Sequence, residues 1–300
     1  MCGCEPCTPA KKNAKERELT PQEKAQKQLR ELTEQPPHER DLNEMSKGLL
    51  LVADLGKANF LDEMTHRRLL VVVTEHFKNS VICSNAMYCI GICAMQSFSK
   101  ESPNRLVPPA REREDGIHGT AGIDVRSIDY VELNPKKPIN PARLRQQATE
   151  QKARIEAFVE EILGRESTDL NDLWFATIVT IIAAIRAHQA DTLVMSNGIF
   201  ALGRLAQSAT GLKNYVGILR GVETIVNSMA MHDHDNIMAS NGCLAIARIC
   251  HLPDIDSRED KELAQKALDT NAEIQEKALA EGALNAVLTA EARHGASKPL

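Results

Sequence analysis

Three cysteines crowd the first seven residues, Cys2, Cys4 and Cys7 in MCGCEPC. Thiols at that density can bind a metal, accept a lipid or stay free, and their spacing helps to separate these chemistries. A closed zinc site takes four ligands, and this run supplies three without the paired Cys-x-x-Cys halves of a zinc ribbon. N-myristoylation needs glycine directly after the initiator methionine, whereas here Gly3 follows Cys2. Two readings stay open. One is S-acylation of Cys2, Cys4 and Cys7, with Lys11, Lys12, Lys15 and Arg17 adding attraction to an anionic membrane face; the other is an unmodified tail with free thiols.

The run His232-Asp233-His234-Asp235 carries metal-ligand residue types, but His232 and Asp235 belong to a pattern that recurs elsewhere, and no metal is expected there. Gly116, Gly119 and Gly122 fall three apart in DGIHGTAG without the preceding strand and following helix that a phosphate-cradling loop requires. No G-x-S-x-G, H-E-x-x-H or kinase-type set is present, so neither a catalytic residue nor a cofactor nor a small-molecule substrate is expected. The net charge of -5 leaves no global basic footprint, which argues against a nucleic-acid partner.

The elements that would position any site repeat along the chain. MSNGIFALGRLA (Met195–Ala206) returns as ASNGCLAIARIC (Ala239–Cys250), and each Ser follows a His by eight residues: His188 to Ser196, His232 to Ser240. The same frame joins His76 to Ser84 and His38 to Ser46. The shared pattern is His-x-x-[Asp/Asn]-x4-Ser-x-[Gly/Ala], followed by apolar residues at helical spacing. Apolar helices are expected before three of these histidines, over Leu69–Glu75, Ile178–Ala187 and Val222–Met231. Each His would then meet the unpaired carbonyls at its own helix end. Asp41, Asn79, Asp191 and Asp235 would cap the next helix, whose small residues let a neighbour approach. Helix pairs at periods near 40 residues belong to α-solenoids, in which each unit hides its neighbour's apolar face.

Composition fits such a fold. Hydrophobic residues make up 43% but aromatics only 3%, so the core must be aliphatic. Cys83, Cys89, Cys93, Cys243 and Cys250 sit inside apolar helical patterns as small hydrophobes. Asn79 to Ser99 lacks charge over a membrane-spanning length, but its seven Asn, Ser and Gln residues and its place in the repeat favour a buried helix. No secretory signal is evident, and a reducing cytoplasm is the expected compartment, including the cytoplasmic face of a membrane if the cysteines are acylated.

The expected organisation has five parts. Residues 1–19 form a disordered tail with Cys and Lys. Residues 20–35 form a charged helical arm opened by a Thr20–Glu23 capping box and closed by Pro36-Pro37. Residues 38–99 hold the first repeats, and residues 100–140 a Pro-rich loop or disordered insertion. Repeats resume over 141–300, beginning with Asn140 as cap, Pro141 as first helical residue and an apolar face of Leu144, Ala148, Ile155, Phe158, Val159 and Ile162 ahead of Gly164. The array closes on a half repeat, GALNAVLTAEARHG.

SNGCLAIARIC and SNGIFALGRLA resemble the second-helix signature of the armadillo family, in particular its divergent repeats in long arrays of some eukaryotic microbes. The resemblance covers about half the chain. It implies an all-α, right-handed armadillo/HEAT-like solenoid with a concave groove for peptides or proteins. Peptide-binding members line that groove with a ladder of Trp and Asn. Here the Trp positions hold Leu50, Tyr88, Phe200 and Leu244, and the Asn positions hold Asp54, Ile92, Arg204 and Arg248. The ladder is missing, and with Arg204 and Arg248 in place an acidic rather than a basic partner is expected. The groove residues to watch are Asn85, Tyr88, Asn197, Phe200, Arg204, Asn241, Leu244 and Arg248. The implied role is a non-catalytic scaffold or adaptor. The alternative is a structural subunit of a larger cytoskeletal or membrane-associated assembly that stacks through its C-terminal half repeat.

Overall fold

Asp and Asn caps start the repeated helices where the pattern places them. In the computed structural model, Asp41 Oδ1 accepts from the backbone N–H of Asn43 and Glu44, and Asp191 Oδ1 from Leu193 and Val194. Asp235 does the same for Ile237 and Met238, and Asn79 for Ile82. Each satisfies amides that the first helical turn leaves without partners. The structure describes residues 19–20, scattered positions between 23 and 34, 41–56, 63–97, 111–113, 116–118, 130–137, 140–164, 170–208, 210–251 and 261–295. Cys2, Cys4, Cys7, His38, Pro36, Pro37, Gly119 and Gly122 lie outside them.

The fold is all-α. Its helices are α1 (Leu42–Gly56), α2 (Glu63–Glu75), α3 (Ser80–Ser97), α4 (Pro141–Leu163), α5 (Leu170–Ala187), α6 (Thr192–Ser208), α7 (Thr210–Ile218), α8 (Gly221–Met231), α9 (Asn236–Cys250), α10 (Lys261–Ala280) and α11 (Ala283–His294). The exception is a short antiparallel ribbon, β1 (Arg111–Arg113) with β2 (Gly116–His118). Gly116 pairs with Arg113 in that ribbon. Among the described residues no helix is long and apolar enough to cross a membrane.

Two rows of helices share the core. The second helices of the repeats, α1, α3, α6 and α9, pack side by side in chain order, and the first helices, α2, α5, α8 and α11, do likewise behind them. The core between the rows is aliphatic, with Leu69, Val73, Ile90, Ile178, Ile182, Leu202 and Ile225 buried. Glycines set the close approaches. A Cβ on Gly198 would stand 2.5 Å from Ile185 Cγ1, and one on Gly203 would stand 2.9 Å from Ala245 Cα.

Two ladders of hydrogen bonds run across the repeats. Asn85 Nδ2 donates to Ser46 Oγ, Asn197 Nδ2 to Ser84 Oγ and Asn241 Nδ2 to Ser196 Oγ, each at 2.9 Å. His188 Nε2 lies 2.6 Å from Phe77 O, His232 Nε2 2.8 Å from Gln189 O and His294 Nε2 3.0 Å from Asp233 O. These histidines therefore do not cap their own helices, as the sequence suggests; each reaches the residue that follows the previous repeat's His. The reason is geometric, because the tight turn after each His already bonds internally, as in Asp191 N to His188 O. His294 continues the series, which marks α11 as a repeat's first helix.

Residues 130–137 fall within the stretch expected as a Pro-rich loop or disordered insertion. Residues 130–137 carry no helix or strand, yet Tyr130, Val131 and Leu133 are buried, so this end of the insertion is part of the folded body. Asn140 caps α4 through Ala142 and Arg143, and Ala148, Ile155, Val159 and Ile162 are buried along its face. The Thr20–Glu23 capping box is formed, with Thr20 N donating to Glu23 Oε2 at 2.7 Å and Glu23 N to Thr20 Oγ1 at 3.2 Å.

Candidate functional site

Positions i, i+4, i+7 and i+11 of a helix share one face. In the second-helix row this face turns away from the first helices. Its first line is apolar and exposed: Val81 at 53%, Leu193 at 54% and Ile237 at 62%. The next line is Lys47, Asn85, Asn197 and Asn241. After it come Leu50, Tyr88, Phe200 and Leu244, and then Asp54, Ile92, Arg204 and Arg248.

The structure divides the expected groove residues into two groups. Asn85, Asn197 and Asn241 are half-buried, and their amide donors are committed to the serine ladder, so they bind neighbouring helices rather than standing ready for a partner. Tyr88, Phe200, Arg204, Leu244 and Arg248 remain on the surface. The Tyr88 and Phe200 rings stack across the α3–α6 seam, with centroids 5.3 Å apart and planes 27° apart. Arg204 Cζ lies 5.2 Å from the Phe200 centroid, a cation–π distance. Ile92 is buried, which places it in the seam.

The electrostatics favour an anion. Arg204 donates to Gln207 Oε1 at 3.3 Å, and among the described residues neither it nor Arg248 forms a salt bridge. Partial burial depresses the pKa of both, and the neighbouring charge of Arg204 adds to the effect on Arg248. Two half-desolvated cations side by side gain from an incoming carboxylate more than either would alone.

The other chemistry-bearing runs have structural uses. His232 is bonded to Gln189 O, Asp235 is a helix cap, Asp233 pairs with Arg293, and His234 is exposed beside Asp233. Among the described residues no group of three or more His, Cys, Asp or Glu side chains could hold a metal ion. Burial pushes the thiols of Cys83 and Cys89 up to about 12, which leaves them protonated and unreactive.

Sequence reasoning missed a second polar centre around Arg186. That side chain is fully buried, and its Nε donates to Thr224 Oγ1 at 2.8 Å while Nη2 faces Glu223 Oε1 at 3.3 Å. Arg220, whose φ of 66° is left-handed, binds the same carboxylate through Nε at 2.6 Å and Nη2 at 2.7 Å. A lone arginine within IIAAIRA is the signal, because a charge at a core position requires a buried partner. No protein-family profile, curated protein or solved structure matches the chain.

Proposed function

We infer that the chain is a non-catalytic protein-interaction scaffold built as an armadillo-like α-solenoid, and that it holds an acidic partner on the outer face of α3, α6 and α9. The observation that carries this reading is the arginine pair on an apolar, partly aromatic surface, to which no carboxylate is bound among the described residues. The two ladders support a solenoid, since the same bond recurs between successive repeats at nearly the same length. Arginine beside exposed aliphatic and aromatic groups has the make-up of an interface anchor. S-acylation at Cys2, Cys4 and Cys7 would bring such a scaffold to a membrane's cytoplasmic face.

The test is a comparison of proteins captured from lysate by the wild type and by Arg204→Glu/Arg248→Glu, with helical content followed by circular dichroism. Loss of the same partners at unchanged helicity is expected; identical capture refutes this face.

One observation favours stacking of copies instead. Ser84 and Ser196 are buried under the next helix, whereas Ser240 on α9 is exposed, and Leu279 on α10 and Leu284 and Leu288 on α11 are 61%, 55% and 51% exposed. Assembly through this end predicts self-association in sedimentation that vanishes when residues after Ala280 are deleted, and a monomer at all concentrations refutes it.

A further inference from the structure

Residues 130–133 are held to the body in the way a bound peptide is held. Tyr130 and Leu133 are the anchors, at 7% and 5% exposure, three positions apart. The main chain between them bonds to side chains of α4, α5 and the turn after α5. Val131 N donates to Gln151 Oε1 of α4 at 3.2 Å, and Val131 O accepts from Arg186 Nη1 of α5 at 3.4 Å. Glu132 O accepts from Gln189 Nε2 at 2.7 Å. A helix has no free backbone groups along its length, so a helical scaffold can hold a foreign main chain only through such long side chains.

The floor beneath the segment is mixed. Tyr130 and Leu133 pack into the apolar core, while Gln151, Arg186 and Gln189 meet the main chain, with Thr224 and Glu223 bonded behind Arg186 and its guanidinium 5.5 Å from the Tyr130 ring centroid. Lifting the segment would return a charged pair and two amides to water, which offsets part of the lost apolar burial. The occupant is also imperfect, because among the described residues the buried Tyr130 hydroxyl has no hydrogen-bond partner.

The geometry points to a peptide-binding site formed by Gln151, Arg186 and Gln189, filled here by the chain's own Tyr130–Leu133 and open in trans to a non-helical peptide of the same form. That peptide has an aromatic and an aliphatic residue three positions apart, and the residue after the aromatic is not proline, since its N–H must reach Gln151. The inference goes beyond the proposed outer-face scaffold and uses a different surface. A tethered occupant acts at an effective concentration in the millimolar range, so a free peptide competes poorly until the tether is weakened.

The test uses the full chain and a fluorescent peptide of residues 128–135, IDYVELNP. In the Tyr130→Ala/Leu133→Ala variant the peptide is expected to bind at least ~10-fold more tightly than in the wild type. A peptide carrying Tyr130→Phe is expected to bind several-fold more tightly still, because it buries no unpaired hydroxyl. A scrambled peptide should bind neither protein. A folded double variant that binds no more tightly than the wild type overturns the inference. Should that variant fail to fold, hydrogen exchange on the wild type decides. Exchange of the Val131 amide at least ~10-fold faster than that of α5 amides supports release, and equal protection overturns it. The Arg204→Glu/Arg248→Glu variant should bind the peptide as the wild type does, so failure of the outer-face reading is read separately.

Discussion

Removing one or the other member of the Arg186–Glu223 pair should have unequal effects, and the inequality follows from burial. Arg186 is 0% exposed and Glu223 is 25% exposed. In Glu223→Gln the guanidinium stays buried with only neutral acceptors, Thr224 Oγ1 at 2.8 Å and Val131 O at 3.4 Å, and Arg220 remains nearby as a like charge. Stranding a buried charge costs ~3–5 kcal/mol, and water reaching Glu223 places this case near ~3. In Arg186→Met the buried charge itself is gone, and Glu223 keeps its two bonds to Arg220. Two hydrogen bonds from the guanidinium are lost, worth ~1.5–3 kcal/mol each, but the desolvation cost of the buried charge goes with them and the methionine stem recovers part of the packing. The expected cost is therefore ~1–2 kcal/mol. Repeat arrays need not unfold in one step, so the readout should be local. Trp174, the chain's single tryptophan, is buried on α5 with Arg186, and its fluorescence in urea reports this region. The double variant should cost about as much as Arg186→Met alone, a coupling of ~3 kcal/mol. If Glu223→Gln proves milder than Arg186→Met, or the two effects add, the argument from burial fails.

Stability should also depend on pH through His66, which burial holds at about 3, with its Nε2 2.8 Å from Thr177 Oγ1. Its unfolded value is ~6.5, so below that pH the unfolded chain binds a proton that the folded chain refuses. The contribution is complete above pH ~6.5 and falls by up to ~1.4 kcal/mol per unit below it. The Trp174 urea midpoint should therefore drop from pH 7 to pH 5, and His66→Gln should flatten that slope; an unchanged slope contradicts the assignment. Gly203→Ala should destabilise by ~1–2 kcal/mol, because overpacking against Ala245 Cα costs ~1–3 kcal/mol and outweighs the ~1 kcal/mol gain in helix propensity. A raised melting temperature would show that the seam can yield. Replacing Cys2, Cys4 and Cys7 by Ser should move the protein from membrane to soluble fractions, and an unmodified N-terminal peptide by mass spectrometry rules acylation out.

The local parts of this fold were legible because their causes are local. The caps Asp41, Asn79, Asp191 and Asp235, and the start of α4 at Asn140-Pro141, need only their own first turns. The ladders were not legible, since Asn197 bonds to Ser84 and His188 to Phe77 across more than one hundred residues, and a pattern does not say which way a side chain reaches. One trace was present. The copies at Ser84, Ser196 and Ser240 read Ser-Asn, but the copy at Ser46 reads Ser-Lys. An amide donor is needed only where an earlier serine exists to receive it, and among the described residues no second helix precedes α1 in the row. Residues 130–137 had no period to read, because their bonds go to side chains of other helices rather than to one another.

The ladders also decide what kind of recognition each surface can support. In the resemblance that the repeats suggest, groove asparagines hold an extended peptide by its backbone. Here the matching positions hold Asp54, Ile92, Arg204 and Arg248, and the asparagines that the face does carry, Asn85, Asn197 and Asn241, are committed to serines, which leaves aliphatic groups, two stacked rings and two arginines. On the proposed function, such a face would read side chains, as on a folded acidic surface or the acidic side of a helix. The side-chain amides that do reach a main chain, Gln151 and Gln189, lie around Arg186, where residues 130–133 are seated. On the two proposals above, backbone recognition and side-chain recognition fall on different surfaces, and substitutions at Arg204 and at Gln151 should affect different partners. If one ligand proves sensitive to both, the two surfaces act as one and the separation argued from the ladders is wrong.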